Sequence, residues 1–585
     1  MGVSIRDVGI GIALAAVLFQ GYMYYTELQR KAMLHRVAKR DVPDKAKLKE
    51  HTKVFKTKEV VKVTPRIHVA IGFALANSMM IEGEDGVVIV DVTESVHAGR
   101  EVLAEFQKIT KKPVKGIVYT HNHADHVYGA KAFIEDPRKP PEIWAHHELL
   151  THLQRQFYTN KMLLTRAARM FGILVPDLIN AGIGPSLRLD LGSVDMGIVY
   201  PTKLMTGVEK DIRIAGVNMK LVHIPGETED QIGVWVPGEK TLLCADDVYQ
   251  AFPNLYSIRG TPTRDLLHWS SSLDRMVSLK PEFLVPSHTR PIVGQEVIRE
   301  LLTGYRDAIQ YVHDQTLRYM NKGLMPDEVA AVVHLPEHLA THPYLFEFYG
   351  TVEWSVKGVF NAYMGWFSGD PVELSPLTPN EMAERMVHFG GGIDKVTTQA
   401  EEALAREEYQ WALVISSYVI RVDNSNARAK EVKVKSLMAM GDRQTSPNGR
   451  NYYFTTAMEE MGEVKFAANK DRRAGYIRQL PLLNLFKSLQ VRWNAEECGV
   501  VNSTIHFEFT DVKESITMTT RNAVVLISDR PPTDKVDIKV TVTSQVWREA
   551  AINSFSGLSS LATGDMKIDG GLAEFTKVMG CFDKD

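Results

Sequence analysis

The sequence predicts an α/β domain, then a helical region, then a carboxyl-terminal region of mixed α and β structure. Apolar, β-branched segments alternate with amphipathic helices up to about Gly294, helices dominate from Gln295, and alternating strand patterns return from about Lys470. The chain has 585 residues, of which 44% are hydrophobic and 24% charged. It is therefore long enough for roughly three to five domains with substantial cores.

The amino terminus departs from this globular pattern. Residues 8–26 contain no charge, and the run has about the length that a bilayer demands. A cleaved signal peptide and a buried helix are the alternatives, but Asp7 offsets Arg6 and no small-residue cleavage site follows. We therefore predict a membrane anchor with a basic flank over residues 1–40. Because the positive flank stays cytosolic, the rest of the chain is expected to face the cytosol; the flank contains Arg30, Lys31, Arg36, Lys39 and Arg40.

Charge and cysteine content exclude two further classes. The formal net charge of -3 gives no bulk attraction for nucleic acid, and no nucleic-acid partner is expected. The three cysteines, Cys244, Cys498 and Cys581, are odd in number and widely scattered. They predict no disulfide framework and are typical of a reducing compartment.

Residues 41–300 are predicted to form the α/β domain. Its early strands are IHVAIGFALANSMMIEG and GVVIVDV, which are rich in apolar residues and bounded by glycine. The amphipathic helix HAGREVLAEFQKIT and the buried strand VKGIVYT follow, and helix and strand continue to alternate.

Three further regions are expected. Residues 301–390 contain helices separated by the breaks SGDPVELSPLTP and HFGGGID. Residues 391–468 contain a helical, repeat-like linker with too few copies for an array. Residues 469–585 begin with one helix, YIRQLPLLNLFKSLQVRW, and continue with alternating strands.

A cluster of metal-ligand side chains follows the strand VKGIVYT directly. The run T-H-N-H-A-D-H places His121, His123, Asp125 and His126 within six residues. Imidazole and carboxylate are the groups that hold zinc, and their place at the end of a strand is typical of a site. The alternative is a polar loop that happens to be rich in histidine.

Further candidate ligands occur where later strands end. Glu227 lies in the turn PGETEDQ, Asp246 ends KTLLCADD, and His288 ends LVPSHTRP. Taken singly, such residues are commonplace near turns. As an ordered series after the histidine cluster, they indicate a centre that holds two metal ions.

This order of motifs resembles the metallo-β-lactamase superfamily, and the presence of Glu227 in place of the usual histidine resembles its zinc alkylsulfatases. The resemblance implies an αββα sandwich and two Zn²⁺ per chain. One zinc would be held by His121, His123 and Glu227, and the other by Asp125, His126 and His288. Asp246 would bridge the two, and Asp91, at the end of GVVIVDV, would steady the histidine loop from behind.

The resemblance extends to the remaining regions. AFPNLYSIRG is similar to the segment that grips the sulfate, which gives Asn254 and Arg259 that role. EFYGTVEWSVKGVFNAYMGWFSGDP resembles the family's dimerisation domain, and the carboxyl-terminal region resembles a sterol-carrier-protein-2-like domain. A homodimer is therefore expected.

The implied reaction is hydrolysis of a primary alkyl sulfate, or a similar amphiphile, to the alcohol and sulfate. A metal-bound hydroxide would be the nucleophile, with Asp125 and Asp246 in the catalytic centre. Two Zn²⁺ against three carboxylates and one hydroxide sum to roughly zero, so the sulfate would need its own cation, Arg259. Which bond of the ester breaks stays open.

Two other functions fit parts of the sequence. The same scaffold can host hydrolysis of another ester or a thioester, because a fold does not fix a reaction. A membrane-tethered protein that binds lipid without catalysis is the other alternative, and metal analysis distinguishes it from an enzyme.

Overall fold

The computed structural model describes residues 18–21, 24, 43–158, 161–176, 178–188, 197–466, 470–532, 535–552 and 564–583. Their contacts divide the chain into two compact units. The first consists of residues 1–53, 169–182 and 367–465, and the second of residues 54–168, 183–366 and 466–585.

The predicted membrane anchor, with its cytosol-facing orientation, is wrong. No helix in the described part of the chain is long and apolar enough to cross a membrane. Of residues 8–26, only 18–21 and 24 are described. The rest of the segment lies outside the described residues.

A seven-stranded sheet in the second unit carries the first ligand cluster. Strands β1 to β4 pair antiparallel, and β4 to β7 pair parallel, in the order of the sequence. All four residues of β4 are buried, as in a strand that is covered on both faces. The strands are β1 Glu59–Lys62, β2 Ile67–Ile71, β3 Ser78–Glu82, β4 Val87–Val90, β5 Val114–Val118, β6 Glu142–His146 and β7 Lys203–Met205.

A six-stranded sheet carries the remaining candidate ligands. Its order is β13-β12-β11-β10-β9-β8, and only the β11–β12 pair is parallel. The strands are β8 Glu209–Ile214, β9 Val217–His223, β10 Ile232–Val236, β11 Thr241–Leu243, β12 Phe283–Val285 and β13 Ile292–Val293.

The two sheets enclose one apolar core, and helices cover their outer faces. Val69, Val90 and Val234 belong to the core between the sheets. Phe106 and Leu149 pack against the outer face of the first sheet. The predicted αββα sandwich is therefore present. The helices in this stretch of the chain are α1 Pro43–His51, α2 Val96–Ile109, α3 Ala124–Val127, α4 Leu149–Tyr158, α5 Lys161–Met170, α6 Leu266–Ser278 and α7 Gln295–Met320. Of these, α1 and the end of α5 from Arg169 belong to the first unit, and the others to the second.

The helices that follow the sandwich fall into both units. In the second unit, Val329 and Val356 join the apolar cluster formed by α6, α7 and the second sheet; their helices are α8 Pro326–Val332, α9 Glu337–Ala340 and α10 Val352–Met364. Five helices form most of the first unit: α11 Pro379–Phe389, α12 Ile393–Ala405, α13 Tyr409–Val422, α14 Ala427–Asp442 and α15 Pro447–Glu460.

The carboxyl-terminal region is α+β, as predicted. A five-stranded sheet packs around Phe486 and Trp547, whose rings stack at 5.1 Å. The single helix predicted at its start is instead two helices, because Pro481 cannot continue the first one. The elements are α16 Lys470–Gln479, α17 Leu482–Gln490, α18 Ala495–Cys498, β14 Ser503–Phe509, β15 Glu514–Arg521, β16 Val524–Ser528, β17 Ile538–Val542, α19 Ser544–Ile552, β18 Met566–Asp569 and α20 Leu572–Gly580.

The cysteine prediction is also wrong in part. Cys498, at the end of α18, forms a disulfide with Cys581, just after α20. The two residues are 83 positions apart in the sequence, and only the fold brings them together. Cys244 is a free, buried thiol.

Candidate metal centre

The histidine-rich loop begins where β5 ends. His123 precedes the single-turn helix α3, which contains Asp125 and His126. This turn folds the loop back, so the rings of His121 and His126 lie 4.1 Å apart. The loop therefore presents ligand atoms to two neighbouring positions.

The first group of candidate ligands consists of His121, His123 and Asp246, whose ligand atoms lie within 4.8 Å of one another. His121 Nε2 is 2.9 Å from His123 Nδ1 and 3.7 Å from Asp246 Oδ2. The sequence placed Glu227 in this group; its Oε1 lies 3.9 Å from His123 Nδ1.

The second group consists of Asp125, His126 and His288, within the same limit. Asp125 Oδ2 lies 3.5 Å from Nε2 of both His126 and His288. Asp246 Oδ2 is 3.4 Å from His126 Nε2 and 3.1 Å from His288 Nε2. Asp246 thus lies between the two groups, and all seven predicted ligands meet at one place.

Glu227 has a cationic partner that sequence reasoning missed. Arg264 is buried and donates from Nη2 to Glu227 Oε1 at 3.0 Å, and its Nη1 donates to the Asn254 carbonyl. The hydroxyl of Tyr249 donates to Glu227 Oε2 at 3.3 Å. The charge balance derived from the sequence is therefore incomplete, because one positive charge lies directly against the third carboxylate.

Asp91 supports both of the loops that carry His126 and His288. Its Oδ2 accepts from His126 Nδ1 at 2.7 Å and from Ser287 Oγ at 2.8 Å, and both carboxylate oxygens accept from Thr120. The bond to Nδ1 leaves His126 Nε2 directed at the ligand groups. Asp91 has a φ of 57°, a left-handed conformation that is uncommon for non-glycine residues and that aspartate and asparagine adopt more readily than most.

The pKa shifts of four candidate ligands suit metal binding. Burial lowers the pKa of His121 and His123 well below the ordinary value, so both stay neutral, as a metal ligand must. Burial raises the pKa of Asp125, but His126 and His288 outweigh this effect and bring it to about 2. The same kind of balance, with His288 as the strongest partner, holds the pKa of Asp246 well below its usual range. At His126 and His288 burial lowers the pKa, but the carboxylates of Asp246 and Asp125 outweigh it and raise the pKa above the ordinary value, so a metal must displace a proton there.

Unsatisfied buried atoms support a cation at this place. His126 Nε2 and Asp246 Oδ1 are buried and have no hydrogen-bond partner. Buried polar groups without partners are rare and costly, and an ion is one of the few ways to satisfy them. Imidazole with carboxylate is a donor set that fits zinc.

The two predicted substrate residues lie next to the ligands. Arg259 Nη2 is 3.0 Å from His123 Nε2, and its Nη1 donates to Ser257 Oγ at 2.6 Å. Asn254 is almost fully buried, and neither its side-chain oxygen nor its nitrogen has a hydrogen-bond partner. A buried amide with both atoms free indicates that a bound molecule completes its bonding.

An αββα sandwich with histidines and carboxylates at its strand ends defines a metallo-β-lactamase-fold hydrolase. Three family models match the chain in succession: "Metallo-beta-lactamase superfamily" over residues 71–288, "Alkyl sulfatase dimerisation" over 325–463 and "Alkyl sulfatase C-terminal" over 471–585.

Relatives narrow the class. The chain is 37% identical to a linear primary-alkylsulfatase of Pseudomonas sp., over 86% of this chain and 98% of that protein. It is 25% identical to an alkyl/aryl-sulfatase of Saccharomyces cerevisiae, over 89% of this chain and 82% of that protein. The solved structure of the stereoselective inverting sec-alkylsulfatase Pisa1 from Pseudomonas sp. is similar at a TM-score of 0.85 and 25% identity, covering 92% of this chain and 86% of that chain. The chain belongs to the alkylsulfatase family, and the predicted family, enzyme class and fold are confirmed.

Proposed function

We propose that this protein is a binuclear zinc hydrolase that cleaves primary alkyl sulfate esters to the alcohol and sulfate. The observation that carries the proposal is the convergence of two three-ligand groups, with Asp246 between them. The relative that is 37% identical is a linear primary-alkylsulfatase, which supports the primary ester as substrate.

The ligand assignment is the one that the sequence predicts, and the distances among these side chains support it. His121, His123 and Glu227 would hold one zinc, Asp125, His126 and His288 the other, and Asp246 would contact both. Two bound zinc ions supply Lewis acidity and lower the pKa of a water molecule toward neutrality. Because Arg264 lies against Glu227 Oε1, the Glu227 carboxylate offers the first zinc less negative charge than an unpaired one would.

The sulfate site follows from the tautomer of His123. His123 Nδ1 faces the other ligands, so with a metal on Nδ1 the proton is on Nε2. Arg259 Nη2 lies 3.0 Å from that Nε2. In this structure Arg259 donates to Nε2, because a guanidinium can only donate. A metal on Nδ1 would place a proton on Nε2 and break that bond, so the guanidinium would be left to bind an anion, and an oxygen of a sulfate group fits. The main chain of Asn254 bonds to Tyr249 and Arg264, which both contact Glu227, and its unpartnered side-chain amide would supply a further donor.

We also propose that the protein is a homodimer, since the matched region 325–463 is a family dimerisation domain. Several apolar side chains in and near this region are exposed in the single chain, and a dimer interface would remove such side chains from water. They include Tyr363, Met364, Val372, Leu374 and Phe389. The domain boundaries given above stay predictions.

The test is sulfate release from a panel of linear alkyl sulfates of increasing chain length, with zinc measured in the same samples. We expect about two zinc per chain and turnover of primary esters. His123→Ala should abolish turnover, whereas the matched control His268→Ala should not, because His268 is an exposed residue of α6. Absence of bound zinc, or sulfate release that persists in His123→Ala, would refute the proposal.

A further inference from the structure

The buried loop of residues 72–77, which joins β2 to β3, lies beside His288. Its Leu75 carbonyl accepts a hydrogen bond from His288 Nδ1 at 2.9 Å. A carbonyl can only accept, so the proton of a neutral His288 is on Nδ1 and the lone pair of Nε2 is available to a metal. The position of this carbonyl therefore fixes both the tautomer and the ring direction of His288.

Glu94 holds the other side of Leu75. Its Oε1 and Oε2 accept from the Leu75 N–H at 3.2 and 3.1 Å, and Oε1 also accepts from the Arg188 N–H at 3.0 Å. The side chain is buried, and Glu94 does not belong to either ligand group. Burial raises the pKa of Glu94 to about 8, and its carboxyl group anchors backbone that points at a candidate metal ligand.

Gly184 and Asn77 complete the support. A Cβ on Gly184 would lie 2.3 Å from the Leu75 carbonyl oxygen, so only glycine leaves that carbonyl in place. Asn77 ties the end of the loop to the His288 segment, since its N–H donates to Ser287 O at 2.7 Å and its Nδ2 to Thr289 O at 2.9 Å. The loop is therefore fixed on both sides of His288.

We propose that Glu94 is a positioning residue for the second zinc: through Leu75 it aims His288 at the metal, and Gly184 leaves the space this requires. The proposal rests on the metal centre proposed above. Groups that orient metal-binding histidines typically change metal affinity about 10–100-fold when they are removed. Because His288 belongs to the second group only, removal of Glu94 should weaken the binding of one of the two metal ions and leave the other bound.

The experiment compares the zinc-loaded full chain with its Glu94→Gln and Gly184→Ala variants. Zinc per chain is measured before and after dialysis against a chelator, and circular dichroism checks the fold. Gly83→Ala is the matched control, because its Cβ would lie 2.1 Å from the Ala215 carbonyl, at the other end of β3. Wild type and Gly83→Ala should keep about two zinc, and the two test variants about one.

Each outcome bears on one claim. If Glu94→Gln or Gly184→Ala keeps both metals under the chelator concentration that spares wild type, the positioning role is overturned. Loss of both metals would also overturn it, since that indicates general collapse. A wild type that holds no zinc would refute the proposed metal centre itself. Should Glu94→Gln fail to fold, Gly184→Ala decides.

Discussion

Replacing Asp91 by asparagine probes how the two metal-binding loops are held. Asparagine tolerates the left-handed φ of 57° at this position, so the backbone should keep its shape. What changes is the bonding: Oδ2 accepts from Thr120 Oγ1, Ser287 Oγ and His126 Nδ1, and Oδ1 accepts from the Thr120 N–H. An amide offers one acceptor oxygen in place of two.

The free-energy cost of Asp91→Asn is estimated from the least costly orientation of the new amide. It keeps its oxygen at Oδ2 and turns its NH₂ toward the Thr120 N–H, which leaves one buried donor unsatisfied at a cost of about 1–3 kcal/mol. The remaining bond to His126 also loses its ionic character, at about 1 kcal/mol. Together these costs are about 2–4 kcal/mol, which overlaps the range of about 1.4–2.8 kcal/mol for a 10–100-fold loss of zinc affinity.

The assay is competition for zinc against a chelator of known affinity, with kcat/KM for a linear alkyl sulfate measured alongside. Asp211→Asn, which changes an exposed carboxylate on β8, is the control and should bind zinc as wild type does. Zinc affinity for Asp91→Asn within about twofold of wild type would refute the argument, since a buried anchor cannot lose an acceptor without cost.

Three other predictions follow from the site and the surfaces. Arg259→Lys keeps the charge but not the planar fork, and it should lower kcat/KM about 10–100-fold while zinc content stays unchanged; equal kcat/KM would contradict the sulfate role. Phe389, on α11, is 87% exposed, and Phe389→Glu should shift the protein from dimer to monomer in light scattering, whereas an unaltered dimer would remove this face from the interface. Burial lowers the pKa of His146 to about 3. Below about pH 6.5 the unfolded chain therefore binds a proton at this histidine that the folded chain does not bind. The contribution of His146 to folding stability is complete above that pH and is lost as the pH falls toward 3. In zinc-free protein, His146→Phe should therefore reduce the drop in Tm between pH 7 and pH 4, and an unchanged drop would show that His146 does not titrate as stated.

The convergence of the candidate ligands was predictable because each of them follows a strand. Glu227, Asp246 and His288 lie shortly after β9, β11 and β12, and side chains at such ends meet on one edge of a sandwich. The histidine-rich loop adds a local spacing, with four possible metal ligands within six residues, that is typical of a metal site. Order along the chain and position at strand ends therefore carried the prediction of the centre.

Arg264, Tyr249 and Glu94 were not predictable in the same way. Arg264 lies between the strand-rich region and α6 and reaches Glu227 from 37 residues away, and Glu94 acts on His288 only through the backbone of Leu75. No periodicity or short motif records such contacts, since they depend on the tertiary fold. The disulfide between Cys498 and Cys581 was missed for the same reason.

The membrane prediction failed for a different reason. The uncharged segment 8–26 has the length of a membrane-spanning helix, but length and lack of charge do not by themselves make a segment span a bilayer. The described residues contain no helix that is apolar and long enough to do so. The single helix predicted at the start of the carboxyl-terminal region failed at Pro481, where the chain begins a new helix instead of continuing the first.

Anomalous diffraction at the zinc edge, from crystals of the purified protein, tests the central claim most directly. The account predicts two peaks per chain on either side of Asp246, one against His121 and His123 and the other against Asp125, His126 and His288. No peak, a single peak, or peaks away from these side chains would contradict it.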